Sequence, residues 1–144
     1  CYLSTILDAA TREVLGYRLS ASLEVAFVLE TVDSMIREYG SQLDDTAIVH
    51  SDQGCHYTSA TFIRKLRDNH FLQSMSRKGN CLDNAKAENF FSMVKTELYY
   101  DWEGDDSNIF ERDLEKYIDW HNNARIKKRL DGSSPAKYRL GRAA

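Results

Sequence analysis

Asp52, Glu88 and Lys95 are the residues of this chain whose types and spacing could do chemistry. Thirty-five residues separate the two acids, and the lysine follows Glu88 by seven positions. Two carboxylates on different elements can share a divalent cation, because hard oxygen ligands suit Mg²⁺ or Mn²⁺ and the cation removes their mutual repulsion. This donor set suits phosphoryl transfer, and such a site normally takes a third carboxylate. Plainer readings stand beside it. Asp52, within His50-Ser51-Asp52-Gln53-Gly54, can be a turn-forming aspartate, and Glu88 can be a solvated helix glutamate near a lysine.

The elements that must position these groups follow from periodicity. Residues 46–51 read as a short buried strand, which puts Asp52 at a strand C-terminus, where α/β sheets hold ligands. Asp83 or a neighbour caps a helix running to about Tyr99, with Ala87, Phe90, Phe91, Val94 and Leu98 as its apolar stripe. Asn84, Glu88, Ser92 and Lys95 fall on an adjoining stripe, since steps of three, four and seven return to nearly the same angle. Upstream, residues 2–8 and 13–20 predict two strands of a hairpin joined by Ala9-Ala10-Thr11-Arg12. Ser22 can cap a helix ending near Gly40, with Val25, Val28, Leu29, Val32, Met35 and Ile36 at helical spacing. Ser59 opens a further helix carrying Phe62, Ile63 and Leu66, and 71–75 reads as a strand. Residues 76–81 read as a loop. A last helix, about 107–124, carries Phe110, Leu114, Tyr117, Ile118 and His121 on one face, and Pro135 stands in a segment without clear periodicity. Strands alternating with helices predict an α/β domain with a mixed sheet.

At 144 residues the chain suits one domain with a real core. No apolar run is long enough to cross a membrane, and the first residues lack the order of a signal peptide. Cys1, Cys55 and Cys81 form no CxxC pair and read as reduced thiols of a cytoplasmic protein. His50, His56 and His121 lack the spacing of a zinc helix, and no GxSxG elbow is present, so structural or DNA-proximal histidines are the better reading. The net charge of −3 hides an asymmetry. From Arg125 onward seven Lys/Arg face one acid, giving +6, whereas the first 124 residues carry 12 basic and 21 acidic side chains, giving −9. A basic end on an acidic body can engage a phosphate backbone locally, or it can be a solvated tail. The organisation expected is a core over 1–124 with a basic C-terminal extension of the same domain over 125–144.

Four stretches and a closing segment carry a family resemblance. They are Tyr2-Leu3 through Asp8 with Arg12 to Gly16-Tyr17; His50-Ser51-Asp52-Gln53-Gly54 with Tyr57-Thr58-Ser59; Ser76-Arg77-Lys78-Gly79-Asn80 with Asp83-Asn84-Ala85 and Glu88-Asn89-Phe90-Phe91; and Lys95-Thr96-Glu97. Tyr117-Ile118, Asn122-Asn123, Arg125 and Ser134-Pro135-Ala136-Lys137-Tyr138 close the match. On these residues the chain resembles the integrase core of bacterial insertion-sequence transposases, DDE type, within the retroviral integrase superfamily.

The resemblance implies an RNase H-like fold with sheet order 3-2-1-4-5 and an Asp-Asp-Glu triad binding two Mg²⁺ or Mn²⁺ ions. It implies metal-dependent DNA cleavage and strand transfer at phosphodiesters. Asp52 and Glu88 would be the second and third acids, and Lys95 and Asn84 would hold phosphates of DNA. Arg77, Lys78 and Arg125 would be weaker phosphate contacts. Partners would be transposon-end and target DNA and further copies in a homo-oligomer, with no membrane, in the bacterial cytoplasm at the nucleoid. The family's first aspartate lies on its first, central strand, before the segment where this chain begins. The expectation is therefore an N-terminally truncated core, inactive alone, whose hairpin and later strands lack the strand that joins them. Asp8 would be a turn acceptor or a partner for Arg12. Two alternatives remain: a catalytically dead piece that binds DNA or protein, and an RNase H-like nuclease without joining activity.

Overall fold

The computed structural model describes residues 1–77, 84–100, 102, 104 and 106–143. Their elements in order are β1 (Tyr2–Leu7), β2 (Val14–Ser20), α1 (Val25–Tyr39), β3 (Ile48–Ser51), α2 (Ala60–Asp68), β4 (Leu72–Met75), α3 (Ala85–Val94), α4 (Ser107–Asn123) and α5 (Pro135–Ala143). One π-helical turn, Lys95–Tyr99, continues α3, and short 3₁₀ turns occupy Gly40–Gln42 and Lys128–Leu130. The α/β alternation matches the periodicity.

The sheet is in two pieces. β1 and β2 form a hairpin, while β3 and β4 pair in parallel with Ile48 opposite Leu72 and Ser51 opposite Met75. Parallel neighbours need a crossover, and α2 supplies it. Among the described residues neither pair shares a hydrogen-bonded edge with the other, as expected of strands without a joining strand, and they do not re-pair. β3 departs from its expected burial: Ile48 is 65% exposed and His50 is exposed, because among the described residues β4 alone pairs with it.

Two compact units divide the chain. The first comprises Cys1–Ile6 and Leu15–Ala87, and the second comprises Leu7–Val14 and Glu88–Ala144. In the first, Leu15 of β2, Phe27, Val28, Val32 and Met35 of α1, and Phe62 and Leu66 of α2 form one buried cluster, with Ile6, Val49 and Phe71 against it. Burying such side chains stabilises by roughly 1.5–3 kcal/mol each. Gly16 of β2 lies directly against the backbone of α1. A Cβ there would lie 2.7 Å from the Thr31 carbonyl oxygen and 3.1 Å from the Met35 nitrogen, so only glycine fits.

Helix ends differ in part from expectation. Ser59 caps α2 as predicted, its hydroxyl accepting from the Phe62 N–H. Ser22 does not cap α1; Glu24 occupies that position without a side-chain bond, and the Ser22 hydroxyl donates to the Glu24 carboxylate instead. Gly40 ends α1 in right-handed geometry and leads into a 3₁₀ turn. The expected cap at Asp83 lies outside the described residues.

In the second unit Phe90, Val94, Leu114, Ile118 and Leu130 are buried. The segment after Arg125 has more order than its sequence pattern suggests. Lys127 bridges to Ser133, and Pro135 opens α5 at the first helical position, where its missing N–H costs nothing.

Candidate functional site

Asp52 follows β3 directly. Its Oδ1 accepts the Gly54 N–H at 2.8 Å, the closed turn expected of aspartate two residues before glycine, and the carboxylate is otherwise exposed. The neighbouring residues fix that corner. The His50 ring bridges the hydroxyls of Ser74, at 3.0 Å, and Ser76, at 2.9 Å, tying β3 to β4. Gln53 donates to the Ser76 carbonyl, and Gln73 donates to the Tyr57 carbonyl. The Tyr57 phenol is pushed up by burial and by the Asp52 charge. His50 is therefore a structural strap, while His56 contacts the Leu23 carbonyl at 3.3 Å.

Glu88 lies in the first turn of α3, where the helix dipole favours an anion. It is exposed and makes no ion pair among the described residues. Ser92 and Lys95 are exposed with it, and Asn84 is half-buried just before the helix. The Lys95 carbonyl accepts the Tyr100 N–H across the π turn. Arg77 is exposed beyond β4, and Lys78 lies outside the described residues. Asp52 belongs to the first unit and Glu88 to the second. Among the described residues no three His, Cys, Asp or Glu side chains group to hold a metal.

Arg125 is engaged more heavily than a phosphate contact would need. Its guanidinium grips Glu97 with both ends, Nη1 to Oε2 at 2.5 Å and Nη2 to Oε1 at 2.8 Å, and lies 5.1 Å from the Trp120 ring centre. The Tyr117 hydroxyl donates to the same carboxylate at 2.7 Å. The Arg125 bond holds the Glu97 carboxyl below its ordinary range against the opposing effect of burial. Burial and Glu97 together raise the Tyr117 phenol.

Spacing gave no notice of the contacts that bind the C-terminal segment to the β1–β2 turn. Asn122 accepts the Val14 N–H at 2.8 Å and returns an amide N–H to the Val14 carbonyl at 2.9 Å, so a side chain acts as a strand neighbour. Arg139 pairs with Glu13, whose side chain is 2% exposed. His121 meets the Arg12 carbonyl at 2.9 Å, and Arg129 donates to the Ala10 carbonyl at 2.8 Å. Asp8 closes the turn by accepting from the Thr11 N–H and hydroxyl, both at 2.7 Å, which is the turn-acceptor role expected of it.

Comparison with known proteins follows the same segments. Residues 1–81 match a family described as Integrase core domain, and residues 88–141 match a second family with that description. The chain is 38% identical over 139 residues to an uncharacterized transposase-like protein of Haemophilus influenzae, covering 96% of this chain and 62% of the relative. It is 32% identical over 139 residues to the transposase for insertion sequence element IS904 of Lactococcus lactis, covering 95% and 54%. The chain thus spans little more than half the length of these relatives. The crystal structure of the catalytic core domain of BIV integrase superposes with a TM-score of 0.73 over 98% of this chain and 86% of that one, at 14% identity. A chain of the simian T-cell lymphotropic virus intasome, in complex with PP2A regulatory subunit B56 gamma, gives 0.71 over 87% and 43%, also at 14% identity. At such identity these two likenesses speak to the fold, which is that of the integrase catalytic core, RNase H-like.

Proposed function

The chain belongs to the integrase core domain family, and on that premise we propose that it is the core of a DNA transposase that cuts and joins phosphodiesters. The observation that carries the reading is the Asp52–Glu88–Lys95 spacing on a chain matched to that family along most of its length. Asp52 and Glu88 are two of the acidic ligands. Both are exposed carboxylates, and Asp52 uses one oxygen on Gly54, leaving the other for a cation. Hard oxygen donors of this kind fit Mg²⁺ or Mn²⁺, and a further oxygen ligand would be required beside them. When bound, two such ions would supply Lewis-acid stabilisation to the attacking and leaving oxygens.

The protein's own groups then have separate tasks. The Gly54 N–H orients the Asp52 carboxylate, and the His50–Ser74–Ser76 strap fixes the strand end that carries it. Lys95, on the Glu88 stripe, holds a phosphate of DNA, and Asn84 and the loop cations Arg77 and Lys78 add backbone contacts. Arg125 could reach a phosphate only in competition with Glu97, so in this scheme it chiefly secures the segment it starts. The working assembly is a homo-oligomer on element-end and target DNA in the bacterial cytoplasm. No helix among the described residues is long and apolar enough to cross a membrane.

Calorimetric titration of the chain with Mn²⁺ tests the reading. Heat of binding should appear in the parent chain and be lost in Asp52→Asn and Glu88→Gln. Equal heats in all three would overturn the assignment and favour a DNA- or protein-binding piece without chemistry.

A further inference from the structure

Three cations of the second unit gather by the β1–β2 turn. Arg12 lies at the end of the β1–β2 turn, Lys127 precedes the 3₁₀ turn Lys128–Leu130, and Arg129 lies within it. The Arg129 guanidinium rests on the Ala10 carbonyl at 2.8 Å. The Lys127 ammonium lies 3.5 Å from His121 Nε2, which is itself 2.9 Å from the Arg12 carbonyl. None of the three cations forms an ion pair among the described residues, and the Arg12 Nε is buried without a hydrogen-bond partner.

We propose that Arg12, Lys127 and Arg129 form a phosphate-binding site between the β1–β2 turn and the 127–131 turn. The occupant is a phosphate group carrying at least one negative charge.

Three observations support it. Like charges brought together without a counter-ion cost free energy, and an anion removes that cost. The lysine is consistent with this setting: burial first, then the charges of Arg125, Arg129 and Arg12, push its ammonium down to about 8 against the pull of Glu97. Arg12 likewise falls, through burial and the Arg129 charge. Second, Arg12 adopts a left-handed backbone, φ +65°, where glycine or asparagine would sit at lower cost. A residue kept in such a conformation points to a use for its side chain. Third, the donors are of two kinds, planar guanidinium forks and a compact ammonium, the mixture that suits phosphate oxygens.

The source of the phosphate is the backbone of DNA, a choice resting on the proposed function. A free phosphate would satisfy the same donors, and two arms of one experiment separate them. In the first, chemical unfolding of the 144-residue chain is followed at pH 7.5 with EDTA, in sodium phosphate and in sodium chloride of matched ionic strength. Phosphate should raise the unfolding midpoint more than chloride does. Arg129→Gln and Lys127→Gln should lose that difference, whereas Lys137→Gln, an exposed change on α5, should keep it. In chloride alone Lys127→Gln should be no less stable than the parent. Arg129 is exposed, so its variant folds even if the Lys127 variant does not. In the second arm a labelled duplex is titrated across a salt series. Loss of one phosphate contact should lower the slope of log affinity against log salt by about 0.9. A phosphate response with an unchanged slope assigns the site to a free phosphate group. Equal phosphate stabilisation of parent, Arg129→Gln and Lys127→Gln overturns the proposal. Neither arm involves Asp52, Glu88 or a divalent cation, so its failure and that of the metal assignment are distinguishable.

Discussion

Acidification should loosen the second unit through His121, and the size of the effect can be worked from its surroundings. The ring is fully buried, edge-on to Phe90 at 5.2 Å, and burial pushes it down from 6.5 to about 4. Its bond to the Arg12 carbonyl opposes that shift, while the Lys127 and Arg125 charges add to it. The folded pKa lies below the unfolded one, so the unfolded chain takes up a proton first as pH falls. Stability held above about pH 6.5 is therefore lost progressively down to about pH 4. Between pH 7 and pH 5 the linkage relation gives a loss of about 2 kcal/mol. Few carboxylates titrate in that window, and comparison with His121→Gln separates this ring from the three other histidines. Urea unfolding at the two pH values, followed by circular dichroism, measures it. His121→Gln should be destabilised at pH 7 yet lose less on going to pH 5. An identical loss in parent and variant would refute the reasoning.

Three further outcomes are expected. Glu97→Gln weakens the two-ended grip of Arg125 and the Tyr117 bond; with the pair partly exposed, the urea midpoint should fall by the equivalent of about 1 kcal/mol. Arg139→Ala removes the cation from a Glu13 carboxylate that is 2% exposed, and unfolding free energy should drop by about 3 kcal/mol, with Arg139→Lys recovering only part. Gly16→Ala drives a Cβ into the Thr31 carbonyl oxygen, and a thermal melt should show a loss of roughly 2 kcal/mol or more.

Elements with strong period were legible in the sequence. α1, α2 and α4 stand within a few residues of their apolar stripes, and the hairpin matches its two alternating runs. The exposure of Glu88, Ser92 and Lys95 follows from helical geometry alone. β3 was harder, because Ile48 looks buried in any window of sequence, and only the number of neighbouring strands decides its exposure. The π turn at Lys95–Tyr99 has no local signal, since propensity does not distinguish it from α-helix. Arg125 and Arg139 read as tail charges because their partners, Glu97 and Glu13, lie 28 and 126 residues away. Long-range pairs of this kind are set by tertiary packing and leave no periodic trace.

The Asn122 clamp on Val14 spans 108 residues, and the contacts of His121, Arg129 and Arg139 with the same turn span 109, 119 and 126. On the ribosome residues 7–14 therefore wait for partners made 108 or more residues later. The other unit draws its core from Leu15 to Leu66, so it can be consolidated long before. The segment from His121 to Arg139 therefore completes the second unit. A product stopped short of Arg139 would carry an uncompensated buried Glu13 and an unfinished second unit, open to proteases, while the first unit survives.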